Sequence, residues 1–152
     1  MKIHVVLDNL RSAFNVGSIF RSSDGAGSVE KIYLCGMTTD IDNPKLEKTA
    51  LGAIEMVNSQ HYDTTLEAIE EIQDLNIPIY AVELTSSAKH FQKFSYPEEF
   101  AIIFGHEKSG VDKEILNICN DILYIPMRGM KKSLNVANSA SILLYEVTRN
   151  ID

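Results

Sequence analysis

The feature that most constrains the fold of this chain is an alternation of short apolar runs with segments of helical periodicity. The apolar runs cover residues 3–7, 31–34, 77–84, 100–104 and 122–125. The helical segments cover residues 13–25, 65–75, 113–119 and 133–149. Because the apolar runs are continuous rather than alternating, they are typical of strands buried on both faces. The order of elements therefore predicts an α/β fold, with a mostly parallel sheet and helices on both of its faces.

Capping residues and helix formers refine the expected ends of the first and last helices. Ser133 is expected to cap the last helix, with Asn135 in its first turn. Asn15 and Gly17 suit a tight turn before the first helix better than a helix interior, because both residue types disfavour helices. The structure of residues 49–56 is ambiguous from the sequence.

Length and composition fit one globular domain. The chain has 152 residues, of which 45% are hydrophobic and 23% are charged, a balance typical of a folded protein. No internal repeat, low-complexity segment or linker interrupts the sequence. We therefore expect a single domain over residues 1–152.

Three features indicate the compartment in which the protein works. No window approaches the ~18 consecutive apolar residues of a membrane span. Charge follows too early in the first eight residues for a signal peptide. Cys35 and Cys119 lack metal or redox spacing, and we expect both to be buried thiols in a reducing compartment. These features predict a cytoplasmic protein without a membrane partner.

The net charge and the local charge of the chain point in opposite directions on nucleic-acid binding. The net charge is −7, whereas nucleic-acid-binding proteins are often basic. Net charge describes solubility, however, and not the composition of one patch. Residues 127–133 contain three cations and no acid, and Arg11 and Arg21 lie near the N-terminus. A local basic surface is therefore compatible with this acidic chain.

The motifs of several common enzyme classes are missing. Residues 105–112 follow an apolar strand, but no lysine follows Gly110, which excludes a P-loop. Ser109 has no glycine two positions before it and is not a nucleophile elbow. The glycines of residues 25–27 follow a helix rather than a strand, which excludes a dinucleotide fingerprint. The four histidines show no metal-ligand spacing.

Three groups of polar residues remain, each beside a predicted strand end. They are Asn15 with Gly17 and Arg21, Glu107 with Ser109, and Ser133 with Asn135, Asn138 and Ser139. In parallel sheets, ligands bind at the carboxyl ends of the strands. Each group also has a purely structural interpretation: a helix start with a surface arginine, a helix-entry turn, and a solvated helix face. Asparagine is a poor helix former, so amides in an otherwise apolar helix favour a functional partner for some of them.

Taken in order, these segments resemble the SpoU/TrmH-type branch of the SPOUT RNA methyltransferases. The resemblance covers nearly the whole chain and rests on residues 15–21 (Asn-Val-Gly through Arg), 102–111 (Ile-Ile-Phe-Gly-His-Glu-Lys-Ser-Gly-Val) and 125–139 (Ile-Pro-Met through Ser-Leu-Asn-Val-Ala-Asn-Ser). Residues 49–53 also look like a segment common in this family. Each motif alone is modest, and their order and separation make the match strong.

The resemblance implies a SPOUT fold with a C-terminal deep trefoil knot, a rare exception to the rule that protein chains are unknotted. It implies that the knot binds S-adenosylmethionine (AdoMet), which becomes S-adenosylhomocysteine (AdoHcy), and that the partner chain of a homodimer completes each site. The implied catalytic residues are Arg21, Asn15, Glu107, Ser133 and Asn135. The implied cofactor contacts are groups near Leu84, Gly105, Ile125, Met130, Ser133 and Leu134.

The implied reaction is AdoMet-dependent methylation of a ribose 2′-hydroxyl in RNA. An arginine side chain is normally always charged, so we expect Arg21 to bind a phosphate and stabilise the developing alkoxide. An unusually perturbed Arg21 that acts as a base is the rival interpretation. Because the sulfonium already activates the methyl group, we expect no metal.

The implied substrate is tRNA, because small members of the family often act there, and rRNA is the rival. We expect the catalytic domain alone, without an N-terminal RNA-binding extension. The RNA would then be held by Arg11, Arg128, Lys131 and Lys132, and binding through phosphate contacts would be strongly salt-sensitive.

Two other classes of protein stay open at this stage. One is a non-catalytic AdoMet- or RNA-binding module, against which the complete set of polar site residues argues. The other is an unknotted nucleotide-binding protein of the flavodoxin-like type. Such a protein would be expected to carry a phosphate loop after its first strand, and residues 7–11 contain no glycine.

Overall fold

The computed structural model describes residues 1–151, and these form seven strands, five helices and one 3-10 turn. The strands are β1 (Lys2–Asp8), β2 (Val29–Cys35), β3 (Ser59–Tyr62), β4 (Ile79–Val82), β5 (Lys89–His90), β6 (Glu99–Phe104) and β7 (Asp121–Tyr124). The helices are α1 (Ala13–Ala26), α2 (Glu47–Ala50), α3 (Thr65–Asp74), α4 (Lys113–Ile118) and α5 (Val136–Thr148), and the 3-10 turn covers Ala53–Glu55.

The seven strands form a parallel sheet in the order β3-β2-β1-β6-β4-β7-β5. Every strand pair within the described residues is parallel, which confirms the predicted sheet. Parallel pairing places the carboxyl ends of β6, β4 and β7 side by side at one edge. Strand order and register do not by themselves define a knot, so the deep trefoil knot stays a prediction.

Successive side chains of the strands enter two separate cores, as the twofold periodicity of a strand requires. On one face, Val5 of β1 packs with Phe20 of α1 and Leu143 of α5. On the other face, Val6 of β1 packs with Ile69 of α3. Burying each such side chain contributes roughly 1.5–3 kcal/mol to stability. Helices on both faces of the sheet are therefore confirmed.

The first predicted helix differs from the structure at its start. Asn15 and Gly17 lie inside α1 and do not form a tight turn before it, because Ser12 caps the helix and its side chain accepts a hydrogen bond from the Asn15 N–H. A glycine is needed at position 17 for another reason. A Cβ atom there would collide with the Thr49 hydroxyl and the Leu46 carbonyl of the α2 segment.

The last predicted helix begins later than expected. Asn135, and not Ser133, is the N-cap of α5, and its Oδ1 accepts hydrogen bonds from the N–H groups of Ala137 and Asn138. Ser109 likewise does not cap a helix, since Asp112 caps α4. An amide oxygen caps a helix as effectively as a hydroxyl, so residue type alone did not show that the cap is Asn135 and not the predicted Ser133.

Two strands were missed, and one was predicted too long. Residues 59–62 and 89–90 form β3 and β5, but they are too polar to give an apolar run. The run over residues 77–84 overestimates β4 at both ends.

The two cysteines differ in burial. Cys35 is buried as predicted, whereas Cys119 is only half-buried. Burial raises the pKa of these thiols to about 12 and about 11, respectively.

No helix within residues 1–151 is long and apolar enough to cross a membrane.

Candidate active site

A cavity of about 620 Å³ lies at the carboxyl ends of β4, β6 and β7. Three segments supply most of its wall: the residues that follow β4, the loop between β6 and α4, and the segment between β7 and α5. Val82, Phe104 and Val136 contribute apolar surface to it. The cavity is thus built where a parallel sheet is expected to bind its ligand.

A chain of hydrogen bonds joins the three predicted polar groups beside this cavity. Asn15 Nδ2 donates to Glu107 Oε1 at 3.4 Å, and Asn135 Nδ2 donates to Asn15 Oδ1 at 3.2 Å. Because Asn135 also caps α5, the chain ties α1, the loop after β6 and the start of α5 to one another. The structure therefore brings together Asn15, Glu107 and Asn135, which the sequence placed on separate elements.

The Glu107 carboxylate is held by the start of α1. Its two oxygens accept the N–H groups of Arg11 and Ser12, each at 3.0 Å. Partial burial by itself would raise the pKa of Glu107, but the hydrogen bonds from Arg11, Ser12, its own backbone and the Asn15 amide outweigh burial and lower it. The Glu107 side chain is therefore an anion at neutral pH and serves as an acceptor.

The loop between β6 and α4 is closed by glycines. His106 and Gly110 exchange two backbone hydrogen bonds of 3.1 and 2.9 Å, and Gly110 has a φ of 71°. A Cβ atom on Gly105 would collide with the backbone of Gly110 and Val111. The loop thus folds back tightly on itself and presents backbone groups to the cavity.

His106 lines the cavity, although no sequence pattern singled it out as a site residue. Its Nδ1 atom accepts the N–H groups of Lys108 at 3.1 Å and Ser109 at 3.2 Å. A ring nitrogen that accepts these hydrogen bonds carries no proton, so the proton of the neutral ring lies on Nε2. His106 therefore has no free lone pair with which to act as a general base in this arrangement.

The predicted cofactor contacts divide into two groups. Five of the six line the cavity: Leu84, Gly105, Ile125, Ser133 and Leu134. Met130 does not line it, and the residue is 93% exposed. The cavity-lining residues that the sequence interpretation missed include Glu83 and Tyr124, which carry no motif of their own.

The predicted basic residues lie at the surface. Arg21 is exposed on α1 and does not line the cavity of its own chain. Arg11, Arg128 and Lys131 are also exposed, and Lys132 is exposed while it lines the cavity. Glu107, Asn135 and Lys132 thus line the cavity, whereas Arg21 does not.

The sequence profile of the SpoU rRNA Methylase family matches residues 2–145. The chain belongs to the SpoU rRNA methylase family. The matched range contains all three motifs on which the sequence resemblance rests. The SpoU assignment that the motifs predicted is therefore confirmed.

Two SpoU relatives act on different RNAs. The tRNA (guanosine(18)-2′-O)-methyltransferase of Thermus thermophilus is 30% identical over 145 residues, which are 95% of this chain and 73% of the relative. The 23S rRNA (guanosine(2553)-2′-O)-methyltransferase RlmP of Bacillus subtilis is 31% identical over 148 residues, which are 94% of this chain and 56% of the relative.

A solved methyltransferase structure has the same fold. The AdoMet-bound rRNA methyltransferase from Sinorhizobium meliloti superposes with a TM-score of 0.91 at 24% identity, over 99% of this chain and 57% of that one. This chain therefore spans 56% to 73% of the length of these three proteins.

The cavity fits the cofactor that the SpoU motifs imply. Its volume of about 620 Å³ lies within the roughly 300–1,000 Å³ of small-molecule sites. It combines apolar side chains such as Val82 and Phe104 with polar ones such as Ser133 and Asn135, a combination that suits an adenosine. It also contains the carboxylate of Glu83, which suits a cation. These residues would hold AdoMet.

Proposed function

We propose that this protein transfers a methyl group from AdoMet to a ribose 2′-hydroxyl in RNA. The observation that carries the proposal is the chain of hydrogen bonds from Glu107 through Asn15 to Asn135 at the cavity. It joins all three SpoU motifs around one cavity of cofactor size. Family membership and the names of the relatives support the same reaction class.

The chemistry requires little from the protein beyond positioning and charge. AdoMet, when bound, supplies a methyl group already activated by its sulfonium. The 2′-hydroxyl is a poor nucleophile and loses its proton as it attacks, so the developing alkoxide needs a nearby positive charge or donor. His106 offers no free lone pair. We therefore assign the stabilisation of the alkoxide to Arg21 and not to a histidine base.

We propose a homodimer in which a second copy brings Arg21 to the cavity. Its side chain is exposed and lies outside the cavity lining of its own chain. The helices α1 and α5 pack against each other and leave Phe14, Ile142 and Tyr145 exposed by 40% to 53%. Burying such side chains favours association, and a twofold interface would make the two sites equivalent.

We further propose tRNA as the substrate, with rRNA as the second candidate. The relative from Thermus thermophilus is named a tRNA methyltransferase and spans this chain well, whereas RlmP acts on 23S rRNA. The exposed cations Arg11, Arg128, Lys131 and Lys132 are the proposed phosphate contacts. We also propose a cytoplasmic location, which is where both RNAs are available.

The proposal is tested by offering labelled AdoMet with unmodified bulk tRNA and, separately, rRNA. We expect label in tRNA, and a loss of label in Arg21→Ala that corresponds to roughly 2–4 kcal/mol of barrier. The control is Arg149→Ala, which removes an exposed arginine paired with Glu146. AdoMet binding without transfer to either RNA would instead indicate a binding module.

A further inference from the structure

Glu83 is a carboxylate of the cavity that no SpoU motif explains. It follows directly after β4, it is half-buried, and it lines the cavity wall. Its backbone N–H donates to the Leu123 carbonyl of β7 at 2.9 Å. The sheet therefore fixes the backbone from which this side chain extends.

Glu83 also holds the loop after β6. Its Oε2 atom accepts the Val111 N–H at 3.0 Å, and its Oε1 atom accepts the Leu84 N–H at 3.2 Å. A Cβ atom on Gly110 would collide with this carboxylate, so the glycine also leaves room for its close approach. Backbone amides thus stabilise the Glu83 carboxylate without neutralising it.

No cation within the described residues lies within 4.0 Å of the Glu83 carboxylate. The other carboxylate of the cavity, Glu107, turns both of its oxygens toward the start of α1. The lysines of the lining (Lys108, Lys113 and Lys132) are exposed, so water screens their charges. Glu83 is therefore the half-buried negative charge that a ligand of this cavity meets without a counter-ion.

We infer that Glu83 determines specificity for the charge of the cofactor, so that the cavity prefers cationic AdoMet to its neutral-sulfur product AdoHcy. This inference rests on the proposed function. In the transfer, the ribose oxygen gains the methyl group, the sulfur keeps the electron pair of the broken C–S bond, and the hydroxyl proton leaves to solvent. The positive charge at sulfur disappears, so the attraction to Glu83 weakens in the product.

The size of the cavity makes this preference independent of the pose of the ligand. A sphere with this volume of about 620 Å³ is roughly 10–11 Å across, which is comparable to the screening length of about 10 Å at 0.1 M salt. Wherever the sulfonium lies in the cavity, the field of Glu83 therefore reaches it. A charge interaction in such a partly desolvated site changes affinity by about tenfold or more.

The test is calorimetry of AdoMet, AdoHcy and sinefungin, which carries an amine near the position of the sulfonium, with wild type and Glu83→Gln. The amide oxygen of Glu83→Gln still accepts the Val111 N–H, so the variant loses the charge and only the weaker hydrogen bond from the exposed Leu84 N–H. We expect wild type to bind AdoMet and sinefungin about tenfold more tightly than AdoHcy, and Glu83→Gln to bind all three within about threefold. Glu70→Gln, on the exposed face of α3, is the control and should keep the wild-type ratio.

Each outcome distinguishes this inference from the proposed function. Equal weakening of all three ligands in Glu83→Gln would show a structural role for Glu83 and overturn the inference, and so would an unchanged wild-type ratio in this variant. Failure of wild type to bind AdoMet or AdoHcy would overturn the proposed function as well. Should Glu83→Gln not fold, the wild-type comparison of sinefungin with AdoHcy decides, since equal affinities overturn the inference.

Discussion

The Glu107 carboxylate couples the candidate site to the stability of the fold. Hydrogen bonds lower its pKa in the folded chain below the ordinary value of 4.5. Its contribution to stability is therefore fully present above the unfolded pKa and is lost as the pH falls through the lower folded pKa. At neutral pH, Glu107→Gln should thus unfold at lower denaturant than wild type.

This prediction is measured by urea unfolding of wild type and Glu107→Gln in steps from pH 7 to pH 3. We expect the difference in unfolding free energy between them to shrink below about pH 4.5. Other carboxylates, such as Glu71 and Glu99, also have lowered pKa values, but they are present in both proteins and cancel. A difference that grows on acidification would contradict the assigned hydrogen bonds.

At the residue scale, the sequence predicted the members of the site better than their roles. Asn15, Glu107 and Asn135 were selected because polar residues beside strand ends suggest a ligand, and they do lie together. The sequence could not show that Asn15 and Asn135 bond to each other, because they are far apart in the chain. Glu83 was missed because a single glutamate after a strand belongs to no sequence motif that would mark it as a site residue.

At the scale of elements, the packing of α1 on α2 depends on Gly17. Gly17→Ala adds a methyl group that meets the Thr49 hydroxyl and the Leu46 carbonyl. Alanine is a better helix former by about 1 kcal/mol, but overpacking typically costs about 1–3 kcal/mol. We therefore expect Gly17→Ala to lower the unfolding free energy, as measured by denaturant titration.

Gly25→Ala is the matched control in the same helix. There the added methyl group faces only the Tyr145 hydroxyl, the far end of a half-exposed side chain that can turn away. The gain in helix propensity should then dominate, and stability should stay equal or rise. If Gly17→Ala were as stable as Gly25→Ala, the close contact between α1 and α2 would be wrong.

Asn135 at the start of α5 has two roles that a substitution can separate: it caps the helix, and its amide donates a hydrogen bond to Asn15 in the site. Asn135→Asp keeps the oxygen that caps the helix and adds a favourable charge near its N-terminus, but it loses the amide donor to Asn15. We expect its unfolding free energy to stay within about 0.5 kcal/mol of wild type while methyl transfer falls at least about tenfold. Asn135→Ala should lose both stability and transfer, and full transfer by Asn135→Asp would exclude the amide contact from function.

The sequence predicted strands correctly where burial gives them a continuous apolar run. Strands β1, β6 and β7 lie in or beside the cores, and their apolar runs located them. Strands β3 and β5 form the two edges of the sheet, where solvent accepts polar side chains and the apolar signal disappears. The sheet order follows from long-range pairing, so local periodicity could not have predicted it.

At the scale of the whole molecule, the proposed homodimer makes each site a product of two chains. Arg21→Ala and Asn135→Asp damage different halves of the proposed site, so each variant alone should be nearly inactive. Mixing them in equal amounts, with subunit exchange, makes half of the dimers mixed, and each mixed dimer has one complete site. Methyl transfer should therefore recover to about one quarter of wild type. No recovery in a mixture that exchanges subunits would place Arg21 and Asn135 in the site of one chain.

The most direct test of the central claim is the chemical position of the transferred methyl group. Labelled AdoMet and unmodified tRNA are incubated with the protein, and the RNA is then hydrolysed completely in alkali. A 2′-O-methyl group blocks cleavage of the adjacent phosphodiester, so we predict that the label is recovered in a dinucleotide that resists alkali and is absent with Arg21→Ala. Label recovered in mononucleotides would mean methylation of a base, and it would contradict the account of a ribose 2′-O-methyltransferase.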